Sequence, residues 1–150
     1  MCYHGRIMDD IERLAEMLDG ARAGVAFTGA GISTESGIAD FRSPGGVWSR
    51  TTPVYYDDFV RSRAERVRYW QMRREMHAEF ADAKPNDGHY ALAKLEQAGR
   101  ICAVVTQNID GLHQEAGSRR VVELHGTNRI IACIRCHKEW PPDEIIARIE

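Results

Sequence analysis

Four short stretches carry residue types and spacings that can do chemistry. Thr28-Gly29-Ala30-Gly31-Ile32-Ser33 directly follows the apolar run Val25-Ala26-Phe27. Glycines permit positive φ and let backbone N–H groups approach an anion with no side chain between. Alone, this GxG pair fits a structural turn as well as a nucleotide cradle, and Thr34 stands where the ordinary dinucleotide fingerprint has its third glycine. Thr106-Gln107-Asn108-Ile109-Asp110-Gly111-Leu112-His113 follows a second apolar run. Its polar side chains can face a crevice at a strand's C-terminal end, or simply build a turn. Glu123-Leu124-His125-Gly126 ends a third run with an imidazole. A histidine there is suited to general-base work near neutrality, although a lone histidine after a strand is more often structural. Cys133-Ile134-Arg135-Cys136 has the spacing of a zinc half-site or a redox pair. A closed zinc site needs four ligands. No cysteine follows Cys136, and His137 is too close to it to ligate alongside it comfortably.

The elements that must position these residues follow from periodicity. Ile11, Leu14, Ala15 and Leu18 recur at helical spacing, predicting an amphipathic helix over about residues 8–19. After the first strand, residues 29–46 read as a long glycine-rich loop. Loops of that length are usually functional or disordered, and Ile32, Ile38, Phe41 and Trp48 in and beside it argue against disorder. Asp57 and Asp58 cap a helix whose arginines (Arg61, Arg63, Arg66, Arg68, Arg73, Arg74) interleave with glutamates, as on a solvated surface. Pro85-Asn86-Asp87 starts a further helix that Gly99 ends. Residues 101–106 are a second strand, 107–118 a polar connection, and 121–124 a third strand. The Cys-bearing stretch 130–140 reads as a small inserted module, and a short helix follows Pro141-Pro142. Alternation of this kind predicts an α/β fold with a parallel sheet and ligands at the strands' C-terminal ends.

Composition narrows the class. The 150 residues are 43% hydrophobic and 28% charged with a net charge of −2, which suits one globular domain and offers no global case for nucleic acid or an acidic membrane. No window has the apolar length to cross a bilayer, and the N-terminal residues do not read as a secretory signal. Four cysteines do not make a disulfide scaffold. Cys2 and Cys102 look solitary, Cys102 reading as a small buried hydrophobe. A reducing, cytoplasmic location is expected.

Taken over a wider run, Gly29-Ala30-Gly31-Ile32-Ser33 with Ser36-Gly37-Ile38-Ala39-Asp40-Phe41-Arg42-Ser43 resembles the NAD-binding signature of the sirtuins, except that Ala39 stands where the family usually has Pro. The stretch 106–113 matches the second sirtuin motif, and the resemblance extends over roughly residues 11–136. It implies a Rossmann-like parallel sheet, of which only the first part is present, with a small zinc-ribbon insertion. Residues 1–126 would be the NAD-binding part, with a helical insertion at about 44–84, and 127–150 the incomplete start of the zinc-binding module. The expected activity is NAD-dependent removal of acyl groups from protein lysines, releasing nicotinamide and O-acyl-ADP-ribose. An ADP-ribosyltransferase or a non-catalytic nucleotide-binding relative is the alternative.

By the same resemblance, the backbone at Ala30 and Gly31 receives the pyrophosphate, Arg42 pairs with phosphate or ribose oxygens, and Phe41 covers the nicotinamide ribose. Gln107 and Asn108 serve the ribose, Asp110 the nicotinamide carboxamide, and His113 is structural. Gly29, Ser33, Asp40, Trp48 and Ile109 complete the cofactor set. His125 is the implied base and Asn108 its catalytic companion. The oxygen of the acyl-lysine attacks the ribose as nicotinamide leaves, and His125 then takes a proton from a ribose hydroxyl. Trp70 and Arg73 fall where relatives that prefer acidic acyl groups carry a Tyr-x-x-Arg pair, with Tyr69 one position early. They are the candidate substrate contacts, and the acyl group is left open between acidic and aliphatic. Cys133 and Cys136 would be two of four zinc ligands. A complete structural site supplies ~10–16 kcal/mol of apparent metal-binding free energy that two thiolates would largely forgo. Acyl-lysine proteins are the implied partners, with no nucleic-acid or membrane contact expected. A sheet ending this early is expected to expose apolar faces, to bind NAD weakly by itself and to aggregate or pair.

Overall fold

The structure, a computed structural model, describes residues 3–40, 43–46, 49 and 51–149. A helix, α1 (Tyr3–Gly20), leads into β1 (Val25–Thr28) and then a 3-10 helix (Ala30–Ser36). Two helices follow, α2 (Tyr56–Arg61) and α3 (Arg63–Ala81), then α4 (Asp87–Gln97), β2 (Ala103–Thr106), the single-turn α5 (Leu112–Glu115) and β3 (Val121–Glu123). A hairpin of β4 (Ile131–Ala132) and β5 (Glu139–Trp140) and the short α6 (Pro142–Ile146) complete the order.

β1, β2 and β3 form the expected parallel sheet with β2 in the centre. The register sets Phe27 beside Val105 and Val105 beside Val122, and Thr28 beside Thr106 and Thr106 beside Glu123. Side chains alternate across a strand, so Val104 and Thr106 lie on one face, where both are buried. Val25, Phe27 and Val122 lie on the other and are exposed. Gly24 lets the chain pass close to the start of β2, because an added Cβ would stand 2.7 Å from the Arg100 carbonyl oxygen.

Local chemistry explains the helix ends. Asn86 caps α4, its side-chain oxygen accepting from the Gly88 N–H at 2.9 Å. Ser62 breaks the predicted continuous helix into α2 and α3: its extended backbone ends the first, and its hydroxyl accepts from the Glu65 N–H at the start of the second. Phe59 and Tyr69 meet edge-on across the joint, with ring centroids 5.0 Å apart.

Several expectations are corrected. The glycine-rich stretch coils into the 3-10 helix, and the polar connection contains α5. The α1 stripe exists, but Ile11 and Leu14 are exposed along it. Cys102 is exposed rather than buried; it precedes β2, and its N–H donates to the Gly24 carbonyl at 2.7 Å. Arg73 does not belong to a solvated face. It is buried and donates to the Asn128 carbonyl at 3.1 Å. The hairpin is present at 131–140, but among the described residues no group of three or more His, Cys, Asp or Glu side chains could hold a metal. No described helix is long and apolar enough to cross a membrane.

Candidate active site

The strands' C-terminal ends open into a cavity of about 670 Å³, lined among others by Ala30, Gly31, Asp40, Gln107, Asn108, Ile109 and His125. Residues more than 70 positions apart in sequence are tied together at its edge by buried and part-buried hydrogen bonds. The Asn108 amide donates to the Gly29 carbonyl at 3.2 Å and to Ser33 Oγ at 3.0 Å. The Ser33 hydroxyl in turn donates to Asp110 Oδ2 at 2.7 Å. Asp110 Oδ1 accepts from the Leu112 N–H at 2.9 Å, which ties the carboxylate to the start of α5. The glycine segment and the Asn108–Asp110 segment are thereby held as one unit.

Gly31 faces open space: a Cβ built there would meet no heavy atom within 4 Å. At the start of the 3-10 helix the first backbone N–H groups have no intrahelical acceptor. Gly111, with φ +72°, allows the sharp turn into α5, and any side chain there would overlap Arg129, whose guanidinium donates to the Gly111 carbonyl at 2.9 Å. Asp40 lines the cavity and accepts from the Ser43 N–H at 2.7 Å. Phe41, Arg42 and Trp48 lie outside the described residues.

His125 is exposed at the cavity wall, its Nδ1 3.0 Å from the Gln107 carbonyl oxygen. A carbonyl only accepts, so Nδ1 carries the proton and Nε2 keeps its lone pair. His113, by contrast, is buried against the sheet, with Nε2 2.9 Å from Thr28 Oγ1. Burial, followed by the charge of His89, pushes its pKa down to about 4 against the opposing pull of Asp110.

Cavity residues that sequence reasoning missed are Pro53, Val54, Met72 and Met76, and Tyr69, read there as one position early, lines the cavity where Trp70 does not. Tyr69, Met72, Arg73 and Met76 recur at i, i+3, i+4 and i+7, a helical face that the surrounding arginines concealed. Trp70 is turned away from this cavity. It packs edge-on against Tyr69 at 5.4 Å and lines a neighbouring space of about 400 Å³ with Phe59, Arg73, His125 and Ile131. Burial lowers the pKa of Arg73, and Tyr69 opposes that shift.

Cys133 and Cys136 sit in the tight turn between β4 and β5. The Arg135 N–H points at Cys133 Sγ at 3.4 Å, and the Cys133 and His137 backbones close the turn through the Lys138 and Cys133 carbonyls at 2.9 and 3.0 Å. Hydrogen bonds from the Cys136 backbone first, and then from Arg135, lower the Cys133 thiol pKa.

A family model described as the Sir2 family matches residues 29–150. The chain is 48% identical over 148 residues to a protein of Thermodesulfovibrio yellowstonii named NAD-dependent protein deacetylase, covering 99% of this chain and 56% of that protein. It is 47% identical over 133 residues to the Drosophila melanogaster NAD-dependent protein deacylase Sirt4, covering 87% and 43%. A solved structure described as Sir2 with a p53 peptide and NAD+ superposes with a TM-score of 0.80 at 40% identity, over 92% of this chain and 55% of that one. Another, Sir2Tm bound to a propionylated peptide, gives 0.79 at 39% identity, over 92% and 54%. The chain spans about half the length of the relatives it matches.

Proposed function

Because the chain belongs to the Sir2 family, we infer that its crevice is the nucleotide and acyl-lysine site of an NAD-dependent protein deacylase. One observation carries this reading: the glycine segment, Gln107, Asn108 and the His125 imidazole all border one cavity large enough for a nucleotide portion. The open space at Gly31, at the start of the 3-10 helix, suits a pyrophosphate. When bound, NAD supplies an anomeric carbon that exchanges nicotinamide for the acyl oxygen of the substrate lysine.

The chain's own residues do the rest. The Gln107 carbonyl fixes the His125 tautomer, so Nε2 is the nitrogen able to take a proton from a ribose hydroxyl. Ser33 and the Leu112 N–H hold Asp110, which orients a carboxamide as acceptor. Asn108, its amide committed to Gly29 and Ser33, sets the floor beneath the ribose. Phe41, Arg42 and Trp48 are assigned to the same cofactor by their place in the motif. Arg73 lines the cavity and gives one N–H to the Asn128 carbonyl, so its remaining donors keep the acyl group open between acidic and aliphatic. Cys133 presents its thiol toward the Arg135 N–H, with Cys136 in the same turn, an arrangement suited to two zinc ligands. Two further ligands are required.

Nicotinamide release from NAD, measured with and without an acetyl-lysine peptide, tests the reading. Release should require the peptide. Because the base acts after nicotinamide has left, His125→Ala should lower steady-state formation of deacylated peptide by about 10²–10⁴-fold with NAD still bound. Release independent of peptide, with ADP-ribose transferred to protein, would replace deacylation by ADP-ribosyl transfer. Near-normal turnover in the variant would remove His125 from the mechanism.

A further inference from the structure

Beneath the crevice, α4 and α5 bring together two buried imidazoles, His89 and His113, with ring centroids 4.9 Å apart and planes tilted by 57°. Each ring has one partnered nitrogen. His89 Nε2 and His113 Nδ1 are buried without a hydrogen-bond partner among the described residues. With the Thr28 hydroxyl as donor to Thr106, the partners that are present assign the tautomers of the neutral rings. The Asn86 N–H can only donate, and it approaches His89 Nδ1 at 3.3 Å, so that atom carries the lone pair and Nε2 the proton. The Thr28 hydroxyl donates to Thr106 Oγ1 at 2.8 Å, so its oxygen takes the proton of His113 Nε2 at 2.9 Å, and His113 Nδ1 is left with a lone pair. The two unpartnered atoms are therefore one donor and one acceptor, on rings already in contact. Leaving both unmade is costly in a buried place. A bond between the two would satisfy both.

We propose that His89 is a positioning residue for the crevice: its Nε2–H serves His113 Nδ1, and the neutral pair closes a circuit that fixes the glycine segment against the Asn108 loop. The circuit is traceable on both sides. From His113 it runs through Thr28 to Thr106, whose oxygen also accepts from the Asn108 N–H at 3.0 Å, and on through the Asn108 side chain to Ser33. From His89 it runs to Asn86, whose amide donates to the Ile32 carbonyl at 2.7 Å and to Ser36 Oγ at 2.9 Å. Both arms end on the 3-10 helix that borders the cavity. The titratable groups acting on the pair, apart from each other, reduce to Asp110 from the loop before α5. Burial lowers the pKa of both rings, and Asp110 opposes it. Protonating either ring would set N–H against N–H.

The proposal takes from the functional reading only the identity of the crevice's ligand, so its test begins without turnover. Imidazole 15N spectra of the full chain between about pH 5.5 and 8 should show both His89 and His113 neutral with the proton on Nε2. A proton on His113 Nδ1, or an imidazolium at either position near neutrality, overturns the proposal. His89→Leu should weaken NAD binding about tenfold, the size of one unmade buried hydrogen bond, and His89→Gln, which keeps a donor near the Nε2 position, should restore most of it. The double variant His89→Leu/His113→Leu should bind NAD no more weakly than the poorer single variant, as expected for two residues acting through one bond. Unchanged affinity in His89→Leu, failure of the Gln rescue, or strict additivity in the double variant would each refute it. If the wild type binds NAD but shows no peptide-dependent nicotinamide release, the deacylase reading fails and the tautomer and binding results still judge the pair.

Discussion

The two faces of the small sheet differ more than their residues suggest. On one, Thr28 bonds to both Thr106 and His113, Val104 is fully enclosed, and the bonds continue through Asn108 and Ser33 to Asp110. On the other, Val25, Phe27 and Val122 present apolar surface that is at least half exposed, at 53%, 63% and 50%. Strand propensity is served equally by both sets, since β-branched and aromatic residues suit a pleated surface whichever way it points. What separates the faces is the cover supplied by α4 and α5, and the crevice forms only where the cover and the polar bracing coincide.

The largest expected effect tests the braced face through acid. The native pKa of His113 lies near 4 against an ordinary 6.5. Between those values the unfolded chain holds more proton than the folded one. Stability should therefore fall as pH drops through that window, by up to ~3 kcal/mol from this group, and be insensitive to it above about pH 6.5. The lowered pKa of His89 acts in the same direction. Urea midpoints measured across the window read the slope, and a chain equally stable at both ends would mean that these rings are not buried neutral.

Next in size is Ser33→Ala. The hydroxyl stands between Asn108 and Asp110 and is itself buried, so its loss leaves an amide proton and a carboxylate oxygen each short of a partner. A loss of about 1–3 kcal/mol is expected, with weaker NAD binding alongside. Denaturant unfolding and an NAD titration check both parts. An intact midpoint with weakened binding would make Ser33 a ligand contact rather than a brace.

These bonds also show what the sequence could and could not disclose. The three strands, the Asn86 cap and the chemistry-bearing stretches were legible because each depends on neighbours within a few positions. That Thr28 would meet Thr106 and His113, 78 and 85 positions away, was not, because pairing at that range is set by sheet register rather than local pattern. His89 carried no signal at all: a single histidine on a helix looks the same whether it is solvated or enclosed. The face of α3 formed by Tyr69, Met72, Arg73 and Met76 was hidden for the opposite reason, by abundant charge around a short apolar stripe. Cys102 misled because every residue of an apolar run reads as buried, whereas the strand begins only at Ala103 and, of the two residues before it, Ile101 is buried and Cys102 exposed.

The smallest expected effect concerns the bare face, and it is diagnostic because it is small. Phe27→Thr places a β-branched residue with good strand propensity in β1 and removes an exposed ring, so the unfolding free energy should change by no more than about ±0.5 kcal/mol, as for surface positions generally. Val104→Ala, one strand away on the covered face, removes enclosed methyl groups and should cost about 2 kcal/mol. The contrast between the two is the measurement. If Phe27→Thr costs as much as Val104→Ala, the ring must be enclosed in solution. Repeating the unfolding at tenfold lower protein concentration then identifies the cover: a midpoint that falls with dilution assigns it to association between chains, because stability gained by association follows mass action.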